Sequence, residues 1–473
     1  INLMYSGDFL SEAELSGDKL RLQTGINPDT FNYQLLAGQK FTSPQAVLNF
    51  SSQGLSRLSN NFHKFILNHI IDKTKAFDKA VVLNSWEAKF FDIDEDLLLR
   101  FADECVKTGI DLLVMDDGWF GKRNNDNSSL GDWFEDTSKF KDGLKNFVKK
   151  IQEKGIGFGI WVEPEMVSPD SKLFKSHPDW VFGAKSREKS LSRNQLCIDM
   201  SNPDVVEYLK TCFLRTFDGI KLDYIKWDFN RYITEPGSPS LKDYEQGAAS
   251  FKFMKGSYEL FQWFNNTWPQ ALIETCSGGG GRFDLGMMYY SSQIWSSDNT
   301  TPEHRIKIQH GISFAYPAAV MSCHVTNPKG TIADFNELDF GYKVAAGGVL
   351  GYELDITKVD NDYKQTIKQQ ISNYKQYRDV ILHGEITRIN CPHKDKVYSY
   401  YYKYNNEYVL YCLPLQSNIK IKLLIDKIDT AKQYIEVFTD KRYSGKQLFD
   451  GININTQEKI AHLFYFVQAD SKI

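Results

Sequence analysis

Two aspartates mark the places where reactive side chains gather along this chain. Asp228 lies in Tyr224-Ile225-Lys226-Trp227-Asp228-Phe229-Asn230-Arg231, and Asp298 in Trp295-Ser296-Ser297-Asp298-Asn299-Thr300. Each closes a short apolar run that reads as a β-strand, and each is crowded by tryptophan, hydroxyl and amide residues. Two such carboxyls suit cleavage of a glycosidic bond, where one acid attacks or stabilises and the other donates a proton. Alternate residues of a continuing strand share a face, so Lys226, Asp228 and Asn230 are expected to converge. A buried lysine beside Asp228 would keep that carboxyl ionised, as a nucleophile requires. The plainer alternative is a structural ion pair at a strand end. Trp295 near Asp298 would desolvate the acid and raise its pKa toward that of a proton donor. Its plainer alternative is a helix N-cap ahead of Pro302.

Other motifs add to this picture. Asp116-Asp117-Gly118-Trp119 sets two acids at a strand end, suited to vicinal hydroxyls. A hard-cation cage wants more clustered oxygen ligands, and neither His304 nor His324 has a ligand partner at helical spacing. No metal and no cofactor are therefore expected. Cys276-Ser277-Gly278-Gly279-Gly280-Gly281-Arg282 lacks the Gly-Lys-Ser/Thr ending of a phosphate loop. Its glycines let backbone approach a ligand, and Cys276 reads as a small buried thiol lining the site rather than a nucleophile. Trp86, Trp119, Trp161, Trp227 and Trp295 fall at or just after strand ends. Any one alone is more often core, but the clustering points to two or three that stack on sugar rings.

These residues need a scaffold that brings strand ends together. Between residues 80 and 380, apolar runs alternate with helical stretches. Eight strands are expected at 81–86, 112–117, 159–163, 224–228, 272–276, 293–298, 320–324 and 349–354, with helices at 94–108, 141–154, 203–217, 242–264 and 302–314. Eight alternating units predict an α/β fold, a closed (β/α)8 TIM-type barrel with its site at the strand C-terminal ends. The run 195–199 is a ninth strand, expected as an excursion between the third and fourth. An open doubly wound sheet is the competing architecture, and no G-x-G-x-x-G follows a first strand to support its nucleotide-binding form. Residues 1–75 alternate with period two, including Phe31-Asn32-Tyr33-Gln34-Leu35, and end in a helix over 53–72. They read as the remnant of an N-terminal β-sandwich with a linker helix. Residues 76–382 read as the catalytic barrel and 383–473 as a C-terminal β-sandwich, with a hairpin at Asn405-Asn406.

With 473 residues the chain is long enough for a large domain plus smaller ones. Its 56 basic and 60 acidic residues are dispersed, so neither a nucleic-acid footprint nor an acidic tail is expected. The seven cysteines, Cys391 among them, are scattered and never form C-x-x-C, which favours a reducing compartment over a disulfide framework. No apolar run has membrane-spanning length and no signal peptide is visible, so a cytoplasmic location is expected. The chain starts at Ile1 and reads as a fragment or a processed product.

Taken together, the ordered blocks resemble the family 36 glycoside hydrolases, chiefly the bacterial α-galactosidases of melibiase type. The blocks are Asn84-Ser85-Trp86-Glu87-Ala88, Asp116 to Gly121, Trp161-Val162-Glu163-Pro164-Glu165-Met166, Ser192-Arg193-Asn194-Gln195, Lys226 to Arg231, Cys276 to Asp284, Ser297 to Thr300 and Gly351 to Asp355. The resemblance implies a retaining hydrolase of α-galactoside oligosaccharides such as melibiose and raffinose, with Asp228 as nucleophile and Asp298 as general acid/base. It assigns Asp116, Asp117, Trp161, Arg193, Lys226 and Asn230 to the terminal galactose, and Cys276 and Gly279 to the wall at the sugar's C2 hydroxyl. An α-N-acetylgalactosaminidase or a galactosyl-transferring homologue shares this machinery, and a binding protein without activity is a third reading. The resemblance also implies a homo-oligomer, commonly a tetramer, supported by a longer N-terminal domain. Ser296, Thr301-Pro302-Glu303 and Asn336 to Asp339 depart from the family pattern.

Overall fold

The computed structural model describes residues 1–72, 79–326, 334–390, 392, 396–456 and 458–469. The eight expected barrel strands all form: β1 (Val82–Asn84), β2 (Leu112–Met115), β3 (Gly157–Val162), β4 (Tyr224–Trp227), β5 (Leu272–Thr275), β6 (Gln293–Trp295), β7 (Met321–Thr326) and β8 (Val349–Glu353). They pair in parallel and in sequence order, and the β8–β1 pair closes the barrel. A parallel strand inside a ring of helices is buried on both faces, which is why these runs are almost continuously apolar. Leu83, Leu113, Ile160, Ile225, Ile273 and Leu350 face the helices as part of the main core. Val82, Leu112, Val114 and Tyr224 form a separate cluster within the barrel.

The ring is built from α2 (Glu95–Thr108), α3 (Leu144–Gln152), α4 (Pro203–Thr216), α5 (Ala249–Thr267), α6 (Pro302–Ile312), α7 (Phe335–Ala345) and α8 (Asn361–His383). After β5 there is only the four-residue helix Leu285–Met288. Local chemistry sets several boundaries. Asp94 caps α2 by accepting from Leu97 N, and Gly109 ends it at φ 83°. Pro203 occupies the first turn of α4 behind the Asn202 cap. The excursion between β3 and β4 pairs Met166–Val167 with Leu196–Cys197 in antiparallel fashion, as the sequence led one to expect.

The C-terminal region forms a six-stranded antiparallel sheet with a two-stranded ribbon, Ile419–Leu423 with Ile452–Thr456, over one face. The hairpin Val397–Tyr404/Glu407–Pro414 shows how both faces are used. Val397 and Tyr401 point to the ribbon, whereas Tyr398, Tyr400 and Tyr402 join the main core beside the barrel. Asn405 takes a left-handed turn at φ 53°. Asn60 of the helix Gly54–His69 ties the sheet to the N-terminal segment, exchanging both amide bonds with Ile386.

The N-terminal strands differ from expectation. Phe9–Ser16 and Lys19–Ile26 form a hairpin with no buried residue, and Asn2–Leu3 pairs with Ala46–Val47. Residues 31–35 form no strand. Phe31, Tyr33 and Phe41 cluster with Phe251 of α5 instead, and Asn32 N donates to Gly247 O. Their alternating aromatics serve a ring cluster on a helix, where ladder pairing is not needed. Six cysteines are described, all buried and free, and Cys391 lies outside the described residues. No helix among the described residues is long and apolar enough to cross a membrane.

Gly351 has a steric role within the barrel. A Cβ added there would lie 2.3 Å from His324 Cδ2. Gly351→Ala must displace that ring and should lower stability by about 1–3 kcal/mol. Urea unfolding checks this, and an unchanged midpoint would show that the His324 ring is free to move aside.

Candidate active site

The barrel's C-terminal mouth holds a cavity lined mostly by polar and charged residues. Its wall includes Asp116, Asp117, Trp161, Arg193, Lys226, Asp228, Asn230, Cys276 and Asp298. Nine of the ten residues selected from sequence therefore meet in one place. Gly279 does not line the cavity. It stands behind the wall at φ 93°, where an added Cβ would come within 2.9 Å of Asp298 N. Its glycine is needed for close backbone packing behind Asp298.

The floor is a polar network built by inward-facing residues two apart on neighbouring strands. Gln293 Nε2 donates to Tyr224 OH, Glu274 Oε2 and Ser322 Oγ at 3.0–3.2 Å. His324 Nδ1 lies 3.0 Å from Glu353 Oε2. Burial depresses His324 to about 3, and burial followed by the Asp116 charge lifts Glu353 to about 7. Both groups shift toward their neutral forms, so near neutrality this contact is a hydrogen bond more than an ion pair.

Lys226 does not pair with Asp228. Its Nζ is 2.7 Å from Asp116 Oδ2, which also accepts from Asn84 Nδ2 at 2.7 Å. Strand order explains the choice: Lys226 and Asp116 both face inward at the barrel mouth, 110 residues apart in sequence. Asp117 is gripped from behind by Arg123, whose Nε and Nη2 reach its carboxylate at 2.9–3.2 Å. Burial still raises Asp117, with Arg123 opposing.

Asp228 accepts from Phe229 N at 2.8 Å, Trp161 Nε1 at 3.3 Å and Asn230 Nδ2 at 2.6 Å. Asn230 thus converges on Asp228 as expected, although it lies beyond the end of β4. Asp298 is exposed as a residue, but its carboxyl turns inward and accepts from Trp295 Nε1 at 2.9 Å. Burial of the carboxyl and then the charge of Asp228 raise its pKa. It does not cap α6. Thr301 is the N-cap residue, and Asn299 Oδ1 accepts from Thr301 N at 3.2 Å. Cys276 Sγ is 4.0 Å from Asp298 Oδ1. Burial and the charges of Asp228 and Asp298 hold the thiol well above its ordinary pKa, so it is no thiolate nucleophile.

Arg193 enters from a tight turn. Arg193 and Asn194 both have positive φ, at 51° and 58°, and Ser192 and Gln195 exchange backbone hydrogen bonds across them. Arg231 Nη1 ties the turn down by donating to Ser190 O and Gln195 O at 2.8 Å. Among the strand-end tryptophans, Trp86, Trp161 and Trp295 line the cavity, whereas Trp119 and Trp227 are wholly buried in the core. Glu87, Thr300 and Glu353 also line it, and sequence reasoning did not single them out. Glu87 follows β1 and Glu353 ends β8, so their place at strand ends was the available signal. Arg123 gave none: its partner is fixed by the loop it sits in. Among the described residues no group of three or more histidine, cysteine or acidic side chains is arranged to hold a metal ion.

Known proteins resemble this chain over most of its length. A family profile described as Melibiase matches residues 40–384. Alpha-galactosidase 1 of Pediococcus pentosaceus is 42% identical over 394 residues, covering 83% of this chain and 54% of the relative. A crystal structure of a variant of the GH36 α-galactosidase AgaA from Geobacillus stearothermophilus, in complex with raffinose, superposes with a TM-score of 0.94 at 34% identity, over 99% of this chain and 67% of the other. The α-galactosidase from Lactobacillus brevis gives 0.95 at 35% identity, over 100% of this chain and 66% of the other. The chain spans about half the length of the first curated relatives it matches. With a profile that fits most of its length and relatives this similar across the barrel and its mouth, the chain belongs to the melibiase family, the glycoside hydrolases of family 36.

Proposed function

We propose that this chain carries the catalytic machinery of a retaining α-galactosidase that removes terminal α-linked galactose from oligosaccharides of the raffinose and melibiose kind. One observation supports this above the rest: two cavity carboxyls sit in contrasting settings. Asp228 accepts three hydrogen bonds and faces the cavity. Asp298 accepts from one indole and is pushed toward holding its proton. Such a division suits double displacement. Asp228 attacks the anomeric carbon while Asp298 protonates the departing oxygen. Asp298 then takes a proton from the water that releases galactose. Asp116, Asp117, Lys226, Arg193 and Asn230 supply hydrogen-bonding groups for the sugar's hydroxyls, and Trp161 supplies an apolar face. The relative with raffinose bound supports the substrate class.

The same reading carries a homo-oligomer, a tetramer by family resemblance. Its supporting surface is the N-terminal segment, where Leu15, Leu20, Leu48 and Phe50 are exposed apolar side chains. It also carries a cytoplasmic location, supported by six free buried cysteines. Sedimentation of the purified chain tests the assembly, and a monomer at micromolar concentration rejects it.

Release of p-nitrophenol from its α-galactoside is the direct test, and no release under any condition sinks the reading. Asp228→Gly should lower kcat by a factor on the order of 10⁴, and azide should restore product through the vacated volume. Near-normal turnover in Asp228→Asn removes that residue from the nucleophile role. Loss of Asp298 should slow substrates with poor leaving groups by roughly 10²–10⁴ and activated aryl galactosides much less. Equal damage to both would assign Asp298 a structural task. Cys276→Ala should cost galactoside cleavage about 1–3 kcal/mol and relax the bias against N-acetylgalactosaminides, because it opens wall space beside Asp298. Measuring kcat/KM for the two aryl glycosides decides this, since an unchanged ratio puts Cys276 away from C2.

A further inference from the structure

Glu163 and Glu165 flank Pro164 just beyond β3, and both side chains are entirely buried. Glu165 is matched. Arg282 closes on it with Nη1 2.8 Å from Oε2 and Nη2 2.9 Å from Oε1, and Trp227 Nε1 and Ser257 Oγ donate to the same carboxylate. Glu163 has no ion-pair partner among the described residues. Its Oε1 accepts from Asn230 N at 2.5 Å and from Gln195 Nε2 at 2.9 Å. Its Oε2 is buried with no hydrogen-bond partner among the described residues.

That pattern is far more costly for a carboxylate than for a neutral carboxylic acid. A buried ion with one bare oxygen and no cation bears a heavy desolvation penalty. A neutral acid has one carbonyl oxygen that accepts and one hydroxyl that carries the proton. Titratable groups from several elements face it. Asp228 faces it from the end of β4, Arg123 from the loop after β2, and Cys197 from the excursion. Burial and then the Asp228 charge push Glu163 up to about 8, with Arg123 opposing.

The bonds made by Oε1 show what the acid is for. Gln195 closes the turn that presents Arg193, and Asn230 donates to Asp228. One oxygen therefore joins the substrate-side turn to the amide that holds the reactive carboxylate. We propose that Glu163 is a positioning residue that works as a neutral carboxylic acid, fastening the Arg193 turn and Asn230 together without setting a second buried negative charge against Asp228. The proposal rests on Asp228 being the nucleophile, as read above. When Glu163 ionises, its bare oxygen demands water. Hydrating it opens the packing around Gln195 and Asn230, so the clamp on Asp228 loosens.

The test compares wild type, Glu163→Gln and Glu163→Ala across pH, following kcat/KM on an activated aryl α-galactoside. That substrate leaves without help from Asp298, so the titration of Asp298 drops out of the profile. Wild type should lose activity as pH rises through about 8. Glu163→Gln keeps a carbonyl acceptor for both donors and should match wild type within about three-fold at pH 6, with the alkaline loss gone. Glu163→Ala strands those donors and should fall roughly 5- to 150-fold at every pH. An unchanged alkaline limb in Glu163→Gln overturns the proposal, as does a fall at pH 6 equal to that of Glu163→Ala. A second readout needs neither activity nor the alanine variant's folding. The infrared difference between wild type and Glu163→Gln at pH 6 should contain the carbonyl stretch of one protonated carboxylic acid, and its absence overturns the proposal. A chain with no galactosidase activity sinks the catalytic reading, while the infrared band still decides the protonation of Glu163.

Discussion

Mutual repulsion among buried carboxyls is the constraint on which the mouth of this barrel depends. Glu87, Asp116, Asp117, Asp228, Asp298 and Glu353 all line one cavity, and Glu163 and Glu165 lie buried beneath it. Like charges at this spacing cannot all persist in a dry site. The structure answers in two ways. Some carboxyls receive a dedicated cation: Lys226 for Asp116, Arg123 for Asp117, Arg282 for Glu165. Others shift toward the protonated state, as Glu163, Glu353 and Asp298 do. Asp228 has no ion-pair partner among the described residues. Its partners are neutral donors, an indole, an amide and a backbone N–H. Its carboxyl is thus positioned by neutral donors, with no salt bridge among the described residues.

Most of the barrel was legible because its physics is periodic. A strand buried on both faces is mostly apolar, and a crossover must be long enough for a helix, so β and α runs alternate visibly in the residues. Partner choice was less legible. Lys226 stands two residues from Asp228 and shares its face, yet pairs with Asp116 on a strand two places away around the barrel. Local spacing reports which way a side chain points. It does not report which of several inward-pointing acids will be nearest once the barrel closes. The same limit hid the hub at Glu163, whose partners Asn230 and Gln195 lie 67 and 32 residues away in sequence.

The N-terminal segment shows the converse error. Phe31 to Leu35 alternates as a strand should, but alternation only says that two faces differ. Here the apolar face meets α5 through Phe251, and Asn32 borrows a backbone acceptor from Gly247. Period two is then satisfied by docking on a helix with no ladder partner. The C-terminal hairpin alternates in the same way, yet both of its faces find apolar cover, the ribbon on one side and the barrel's outer core on the other. The difference lies in what the rest of the chain offers each segment.

Asp298 raises a last physical question: how the carboxyl of an exposed residue is held in one orientation. The answer lies one residue type away. Trp295 is buried, and its indole is packed by the Arg305 guanidinium at 4.3 Å and the His324 ring at 4.5 Å. Both are themselves buried, so the ring has little freedom to turn. Its Nε1 is thereby aimed at Asp298 Oδ1, and a rigid donor fixes the orientation of an acceptor that solvent alone would leave mobile. From the other side, Gly279 admits backbone to within van der Waals reach of Ser297 and Asp298, where any side chain would push that loop outward. The acid is therefore located by one buried ring and one missing Cβ. Its exposed edge stays open to the cavity, and its carboxyl direction is set by groups packed behind it.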